Sequence, residues 1–246
     1  MFGGFFHKIK QDSAYQKKYP PADLEHSPVI SYDAYWKKKR KGGDSWLSDW
    51  QKERLDIVAK MIDPGSSVMD IGCGDGLALE YLKSRVSISA VGVDISDDIL
   101  AKAKERGIDA IKMDLNDLDA AADLPEVDYL VGMEILEHMP NPEALIQKIR
   151  PKVRKGMIFT FPNSAYYPYR LRLLFGGFPL QFINHPGEHL RFWTGRDLKL
   201  WWVKALGADL EALVIHEGLP ILNKIWPNLF GQGIIIKLSF PSKPGQ

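Results

Sequence analysis

Apolar residues recur along the middle of this chain in two alternating rhythms. From Trp46 to Ile62 they fall at three- and four-residue steps, at Trp46, Trp50, Leu55, Val58, Met61 and Ile62, which predicts a helix with one buried stripe. Pro64-Gly65 ends it. Residues 67–71 are a short apolar run of the kind that forms a strand buried on both faces. A helix follows through Leu77, Leu79, Tyr81 and Leu82. The alternation then repeats. Strands are predicted over 88–93, 110–113, 127–133 and 156–161. Helices are predicted over 97–106, which Gly107 stops, and over 142–153, with Pro142 in the first turn. Strand–helix units of this length imply right-handed crossovers and a parallel sheet covered on both faces.

The rhythm breaks at residue 164. Residues 164–192 are rich in aromatics, arginine, glycine and proline, among them Tyr166, Tyr167, Arg170, Arg172, Phe175, Phe178 and His185-Pro186-Gly187. We read this stretch as an insertion that forms a lid over a substrate site. Thr194 then caps a helix running to about Leu206, with Leu198, Trp201, Trp202 and Leu206 as its apolar face. Two more strands, over 208–217 and 233–240, flank a smaller insertion at 219–232. At the other end, residues 1–45 carry Pro20-Pro21, Pro28, the run Lys37-Lys38-Lys39-Arg40-Lys41 and Gly42-Gly43. They read as an N-terminal extension of short helices and loops, which leaves one domain over 46–246.

Composition narrows the partners. With 246 residues, 45% hydrophobic and 26% charged, the chain suits a globular domain with additions. A net charge of +1 gives no global field to recruit nucleic acid or an anionic membrane, so the basic run reads as a solvated face. One cysteine, Cys73, excludes an intrachain disulfide and suits a reducing, cytoplasmic compartment. No apolar run approaches the roughly 20 residues needed to span a bilayer, and the first ten residues make a poor signal peptide.

The chemistry gathers after the first strand, in Asp70-Ile71-Gly72-Cys73-Gly74-Asp75-Gly76. A glycine-rich turn there is the nucleotide crevice of an open parallel sheet. A pyrophosphate-binding loop would place its third glycine at 77, where this chain has leucine. Charge decides further. Asp70 ends the first strand, Asp75 sits in the loop, Asp94 ends the second strand and Asp114 follows the third. Four carboxylates around one crevice repel a pyrophosphate and suit a ligand of net positive charge. S-adenosylmethionine is such a ligand, with a sulfonium, an ammonium and one carboxylate. In that reading Gly72, Cys73, Gly74, Asp75 and Gly76 pass backbone under its amino-acid end, and Asp70 attracts the ammonium. Asp94 accepts the ribose hydroxyls, Ile95 packs on the adenine, and Asp114 accepts from the adenine amine between Met113 and Leu115.

Val68-Met-Asp-Ile-Gly-Cys-Gly-Asp-Gly76, Val91-Gly-Val-Asp94-Ile and Met113-Asp114-Leu resemble the first three signatures of class I S-adenosylmethionine-dependent methyltransferases. The resemblance covers about residues 46–217. It implies a Rossmann-like, doubly wound α/β fold with a seven-stranded sheet, mostly parallel, the last strand antiparallel, and helices on both faces.

Methyl transfer is an in-line displacement, so such an enzyme chiefly aligns its acceptor and sometimes adds a base or a metal. Gly132-Met133-Glu134-Ile-Leu-Glu137-His138-Met-Pro-Asn-Pro142 resembles the fourth-strand segment of small-molecule methyltransferases, including the ubiquinone-biosynthesis O-methyltransferases. This implies that Met133 and Glu134 flank the cofactor and that His138 faces the same cavity. Phe159-Thr-Phe-Pro-Asn163 with Arg170-Leu-Arg-Leu-Leu-Phe-Gly-Gly177 resembles the MetW-like group of methionine-biosynthesis proteins. Glu188-His189-Leu-Arg191-Phe-Trp-Thr194 carries a second histidine, which related methyltransferases place over the active site. The expected catalytic set is therefore Glu134, His138 and His189. Asn163, Tyr166, Tyr167, Arg170 and Arg191 are the expected acceptor-binding set. Some O-methyltransferases, including small-RNA 2′-O-methyltransferases, share the pattern Glu-x-x-Glu-His with a distant histidine. That implies an alternative in which Glu134, Glu137, His138 and His189 hold a divalent metal. The expected activity is methylation of a small molecule at oxygen by a monomer or homodimer. A non-catalytic, MetW-like regulatory partner and an RNA methyltransferase remain the alternatives.

Overall fold

The computed structural model describes residues 46–178 and 189–241. The extension expected over 1–45, the basic run within it, and residues 179–188 of the insertion lie outside the described residues.

The first helix among the described residues, α1 (Asp49–Ala59), is shorter than the apolar pattern predicted. Ser48 sets its start through a capping box, its hydroxyl accepting the Gln51 N–H while the Gln51 side chain accepts the Ser48 N–H. Trp46 therefore precedes the helix and is exposed, and Trp50, also exposed, lies against the Arg54 guanidinium. The stripe that does bury is Leu55, Val58 and Ala59.

β1 (Ser66–Ile71), α2 (Leu77–Arg85), β2 (Ile88–Asp94), α3 (Asp97–Glu105), β3 (Asp109–Lys112) and β4 (Val127–Met133) follow the predicted alternation. α4 (Pro142–Ile149) stops short of its predicted end, because Arg150-Pro151-Lys152 tightens into a 3₁₀ turn. β5 (Val153–Pro162) starts correspondingly early. The aromatic insertion contains a helix that the pattern did not predict, α5 (Tyr167–Leu174), with Pro168 in its first turn. The helix capped by Thr194 is interrupted. It begins as Gly195–Asp197, passes through a π-helical stretch Leu198–Trp202 and ends as Val203–Ala205; we call the whole α6. The wider π turn changes the phase, so Trp202 is buried while Trp201, expected on the apolar face, is exposed. β6 (Asp209–His216), α7 (Pro220–Ile225), α8 (Pro227–Phe230) and β7 (Gly233–Ser239) complete the chain.

The seven strands lie in the order β3-β2-β1-β4-β5-β7-β6. β7 slots antiparallel between β5 and β6, and the pairings among β1 to β5 are parallel. Period-2 alternation divides the core. Met69, Met157, Phe159, Phe161, Ile234 and Ile236 bury one face, under α4 and α6. Val68, Ile158 and Ile235 bury the other, with Leu55, Val58, Leu79 and Leu82. On the first face Trp202 meets Phe159, Phe161 and Trp193 at centroid distances of 6.2, 5.5 and 5.8 Å, and its indole N–H donates to Glu143 at 2.8 Å. The strand order reverses between β1 and β4, which opens a crevice at their carboxyl ends.

Candidate functional site

Three glycines shape the loop between β1 and α2. Gly72, Gly74 and Gly76 all hold left-handed backbone, at φ of 73°, 56° and 74°. Gly72 also lacks room. A Cβ there would stand 2.6 Å from Ile135 Cγ1, which brings the segment after β4 directly against the loop. β2 ties the loop from below: Gly72 N–H and Cys73 N–H both donate to the Val93 carbonyl, at 2.7 and 3.0 Å.

The carboxylates divide by role. Asp94 accepts the Gly74 N–H at 2.9 Å through Oδ2 and the Ser96 N–H at 3.1 Å through Oδ1, so the residue expected to take the ribose hydroxyls also builds the loop. Asp75 pairs with Arg106 at 3.7 Å, and Arg106 also reaches Glu80 at 2.8 Å. The expected crevice charge of Asp75 is thus offset by a cation between α2 and α3. Asp70 differs from both. It is fully buried, its Oδ1 has no hydrogen-bond partner among the described residues, and burial, then Asp94, pushes its carboxyl well up. A buried, orphaned carboxylate beside a glycine cradle is what a ligand's ammonium group would satisfy. Asp114 is exposed, with its Oδ1 closing an Asx turn onto Asn116, and buried Met113 and Leu115 flank it. Ile95 is exposed at the tip of β2, and Met133 ends β4 half-buried.

At the tip of β4 the expected catalytic set separates. Glu134 adopts φ 52° and pairs with Arg54 Nη1 at 2.6 Å. It is not in the group that a metal could occupy. That group is Glu137, His138 and His189, whose ligand atoms lie within 4.8 Å of one another. The His138 and His189 rings meet edge to face at 4.7 Å, although 51 positions separate them in sequence. The junction is pinned by the Leu190 and Arg191 N–H groups, which donate to the Glu137 carbonyl at 2.7 and 3.1 Å. Glu137 is fully buried with neither carboxylate oxygen hydrogen-bonded among the described residues, and burial, then Glu134, pushes its carboxyl well up. Burial, then His138, holds His189 down at about 3. A neutral imidazole of that basicity is a poor proton acceptor at pH 7 and a good metal ligand.

The expected acceptor-binding residues also divide. Asn163 is fully buried; its amide donates to the Asn228 and Gly231 carbonyls and its oxygen accepts the Ala165 N–H. It anchors strand ends, and we do not carry it forward as an acceptor ligand. Arg170 donates to the Ala165 carbonyl at 2.6 Å, and Arg191 straps the Pro140 carbonyl at 2.5 Å and Glu143 at 3.6 Å. Both are half occupied by structural work. Tyr166 and Tyr167 meet edge to face at 5.1 Å at the start of α5. Sequence reasoning passed over three further groups at this edge: Arg54 in α1, His216 at the end of β6, and Glu217 after it. Their only sequence signal is a charged residue on an otherwise apolar helix stripe and a histidine–glutamate pair before Gly218, which is too weak to single out.

A family model described as methionine biosynthesis protein MetW matches residues 52–200. A ubiquinone biosynthesis O-methyltransferase from Dechloromonas aromatica is 29% identical over 72% of this chain and 80% of its own. A bifunctional methionine biosynthesis protein MetXA/MetW from Rhodopirellula baltica is 32% identical over 46% of this chain, which spans 19% of that longer protein. A crystal structure of a SAM-dependent methyltransferase from Archaeoglobus fulgidus superposes with a TM-score of 0.58 at 20% identity, over 84% of this chain and 99% of its own. The architecture is that of a class I methyltransferase. No helix among the described residues is long and apolar enough to cross a membrane.

Proposed function

The chain belongs to the MetW family, and we propose that it uses S-adenosylmethionine to methylate a small molecule at oxygen. One observation carries the cofactor: Asp70, buried with an unpartnered oxygen beside a loop whose three glycines all need left-handed backbone. Asp94 then serves the ribose, Ile95 and Met113 the adenine faces, and Asp114 the exocyclic amine. The methyl group, made electrophilic by the sulfonium, is what the cofactor supplies. The chain's own task is to hold an acceptor oxygen in line with it and to take the proton. Tyr166 and Tyr167 offer the acceptor aromatic walls. His138 and His189 face the same edge as orienting groups, or as ligands, with Glu137, of a divalent cation.

Calorimetry on the full chain tests the cofactor. S-adenosylmethionine and S-adenosylhomocysteine should each bind with a Kd between about 1 μM and 1 mM, the range usual for enzyme substrates. Binding of a nicotinamide dinucleotide in place of both would overturn the reading.

A second reading, a non-catalytic partner that keeps the cofactor site, draws on the family match and on the R. baltica relative in which MetXA and MetW share one chain. It expects S-adenosylhomocysteine binding, no turnover across an acceptor screen, and a stable complex with a MetXA-type protein on size-exclusion chromatography.

A further inference from the structure

The two insertions hold their helices by polar anchors. None of the residues of α5, α7 and α8 is buried. Both insertions leave the sheet at its carboxyl edge, one after β5 and the other between β6 and β7. Side-chain amides pin them there. Asn163 donates to the Asn228 and Gly231 carbonyls, and Asn223 donates to the Ile215 and Glu217 carbonyls at 3.4 and 3.0 Å. The Tyr167 and Phe230 rings, with centroids 5.9 Å apart, join α5 to α8. Three helices are thus fastened to the sheet while their apolar side chains turn outward, the reverse of what water favours.

Five large apolar side chains among the described residues are at least 75% exposed, and four of them are Leu174, Phe175, Ile221 and Ile225. Trp226, also exposed, follows Ile225 directly. A clustered apolar surface of this kind marks a docking site for a protein or a membrane. Charge and shape select between them. The charged residues of 166–178 and 219–232 are Arg170, Arg172 and Lys224, with no carboxylate among them. Arg170 and Lys224 are exposed. A second copy packed face to face across a twofold axis would bring like charge against like. Side chains that project this far enter a fluid apolar layer without needing a matching pocket. Tryptophan, leucine and isoleucine interleaved with arginine and lysine compose a segment that lies in the interface of an anionic bilayer, apolar groups below the headgroups and cations among the phosphates.

We propose that α5, α7 and α8 form a surface that docks the protein reversibly onto an anionic lipid bilayer. The whole-chain charge of +1 does not oppose this, because the attraction is local and falls off within a Debye length. The surface runs on to the acceptor edge. Phe178 meets Phe192 at a centroid distance of 5.3 Å, and Phe192 lies 6.4 Å from the His189 ring. Docking therefore places the His138–His189 junction beside the bilayer.

The test is flotation of the full chain with vesicles of phosphatidylcholine alone and of phosphatidylcholine mixed equally with phosphatidylglycerol. We expect partitioning into the anionic vesicles that weakens with added salt. Phe175→Ser and Ile225→Ser should each lower it about tenfold, and Lys224→Gln about fivefold. Lys83→Gln should leave it within twofold, because Lys83 reaches the Gly107 carbonyl before β3, at the amino edge of the sheet. Unchanged thermal unfolding curves show that the variants are folded. Brominated acyl chains should quench Trp226, whose emission is assigned by its loss in Trp226→Phe. No partitioning of the wild-type chain, or partitioning that the Phe175 and Ile225 variants keep, overturns the proposal. Dimerisation on size-exclusion chromatography that Ile225→Ser abolishes overturns it too, and assigns the surface to a second copy. Flotation needs no cofactor, so a failure to bind S-adenosylhomocysteine overturns the methyltransferase reading alone.

Discussion

The carboxyl edge of the sheet is built in two different ways. On the β1–β3 side, the site is one continuous loop plus the first residues beyond β2 and β3. Backbone N–H groups and glycine geometry form it, and Asp94 closes it onto Gly74 at 2.9 Å. On the β4–β6 side, side chains come from five separated stretches. His138 meets His189, Arg54 meets Glu134, and Glu217 stands beside His216. On the first side Asp70 Oδ1 lacks a hydrogen bond among the described residues, as do Asp75 Oδ2 and Arg106 Nε, whose side chains face each other as an ion pair. The second leaves Glu137, His189, His216 and Glu217 with buried atoms lacking hydrogen bonds among the described residues. Unmet polar groups are costly unless a ligand, water or ion completes them. The contrast teaches that the cofactor side is preformed by backbone, whereas the acceptor side awaits what it binds.

The largest effect should come from Asp94. Its carboxylate fixes the loop and is placed to take the ribose. Hydrogen bonds to a charged group are worth about 1.5–3 kcal/mol each, so Asp94→Ala should weaken S-adenosylhomocysteine binding about 100-fold by calorimetry. A loss under threefold would break the comparison, because the cofactor side would then not depend on its one bridging side chain.

Gly72 tests the preformed backbone. A left-handed non-glycine residue costs about 1–2 kcal/mol, and forced overpacking about 1–3 kcal/mol. Gly72→Ala meets both, since Ile135 Cγ1 lies 2.6 Å from the added carbon. Gly207→Ala, at φ 63° with open space around it, meets only the first. Urea unfolding should show Gly72→Ala losing about 3 kcal/mol and Gly207→Ala about 1 kcal/mol. Equal losses would show that the contact between the loop and the segment after β4 carries no strain.

These two predictions concern the part that the sequence made legible. Asp70 to Gly76 lie within seven consecutive residues, and Asp94 and Asp114 follow strands whose apolar runs are unmistakable. Local spacing was enough to place them. The sheet itself was legible for the same reason, through period-2 and period-3.6 patterns. The acceptor side was legible only in fragments. The patterns around Glu137-His138 and His189 were visible, yet nothing local says that the two rings meet edge to face or that Glu134 turns to Arg54. Arg54 reads as an ordinary polar position on an amphipathic helix. The phase shift in α6 is equally hidden, because a π turn needs the packed Trp202 to make it worthwhile. Where contacts link residues dozens of positions apart, the pattern along the chain is silent.

A smaller effect separates the sides by pH. Glu137 and Glu217 have carboxyls raised by burial, so folding keeps them protonated while the unfolded chain ionises. Their contribution is intact below the ordinary carboxylate range and is lost as pH rises through the raised pKa of each group, about 7 for Glu217. His189 and His216 are depressed to about 3 and about 4, so the unfolded chain takes up protons first, and their contribution is lost as pH falls below about 6.5. The opposing slopes offset each other between about pH 4.5 and 6.5. Above that range wild-type stability should fall, and Glu137→Gln should fall less. Manganese(II) should raise the Tm of wild-type protein above pH 7 and leave Glu137→Gln unmoved. A Tm that ignores manganese in both would remove the metal from the acceptor side and leave the two histidines as orienting groups.

The smallest effect concerns how far the two sides are coupled. Thr194 caps α6, its hydroxyl accepting the Asp197 N–H at 3.1 Å while Asp197 answers the Thr194 N–H at 3.2 Å. Thr194→Ala should cost about 1 kcal/mol. The cap lies five residues beyond His189 and next to Trp193, which packs on Phe161 at 5.0 Å. Loosening it should therefore speed amide hydrogen exchange at 189–197 and in α6. If the sides are independent, exchange at Gly72, Cys73 and Gly74 stays at the wild-type rate and S-adenosylhomocysteine affinity is unchanged. If the loop amides speed up as well, Ile135 must transmit the change from β4 into the loop through its contact with Gly72. The edge would then be a single cooperative unit, and an acceptor that ordered the β4–β6 side would tighten the cofactor by the same free energy.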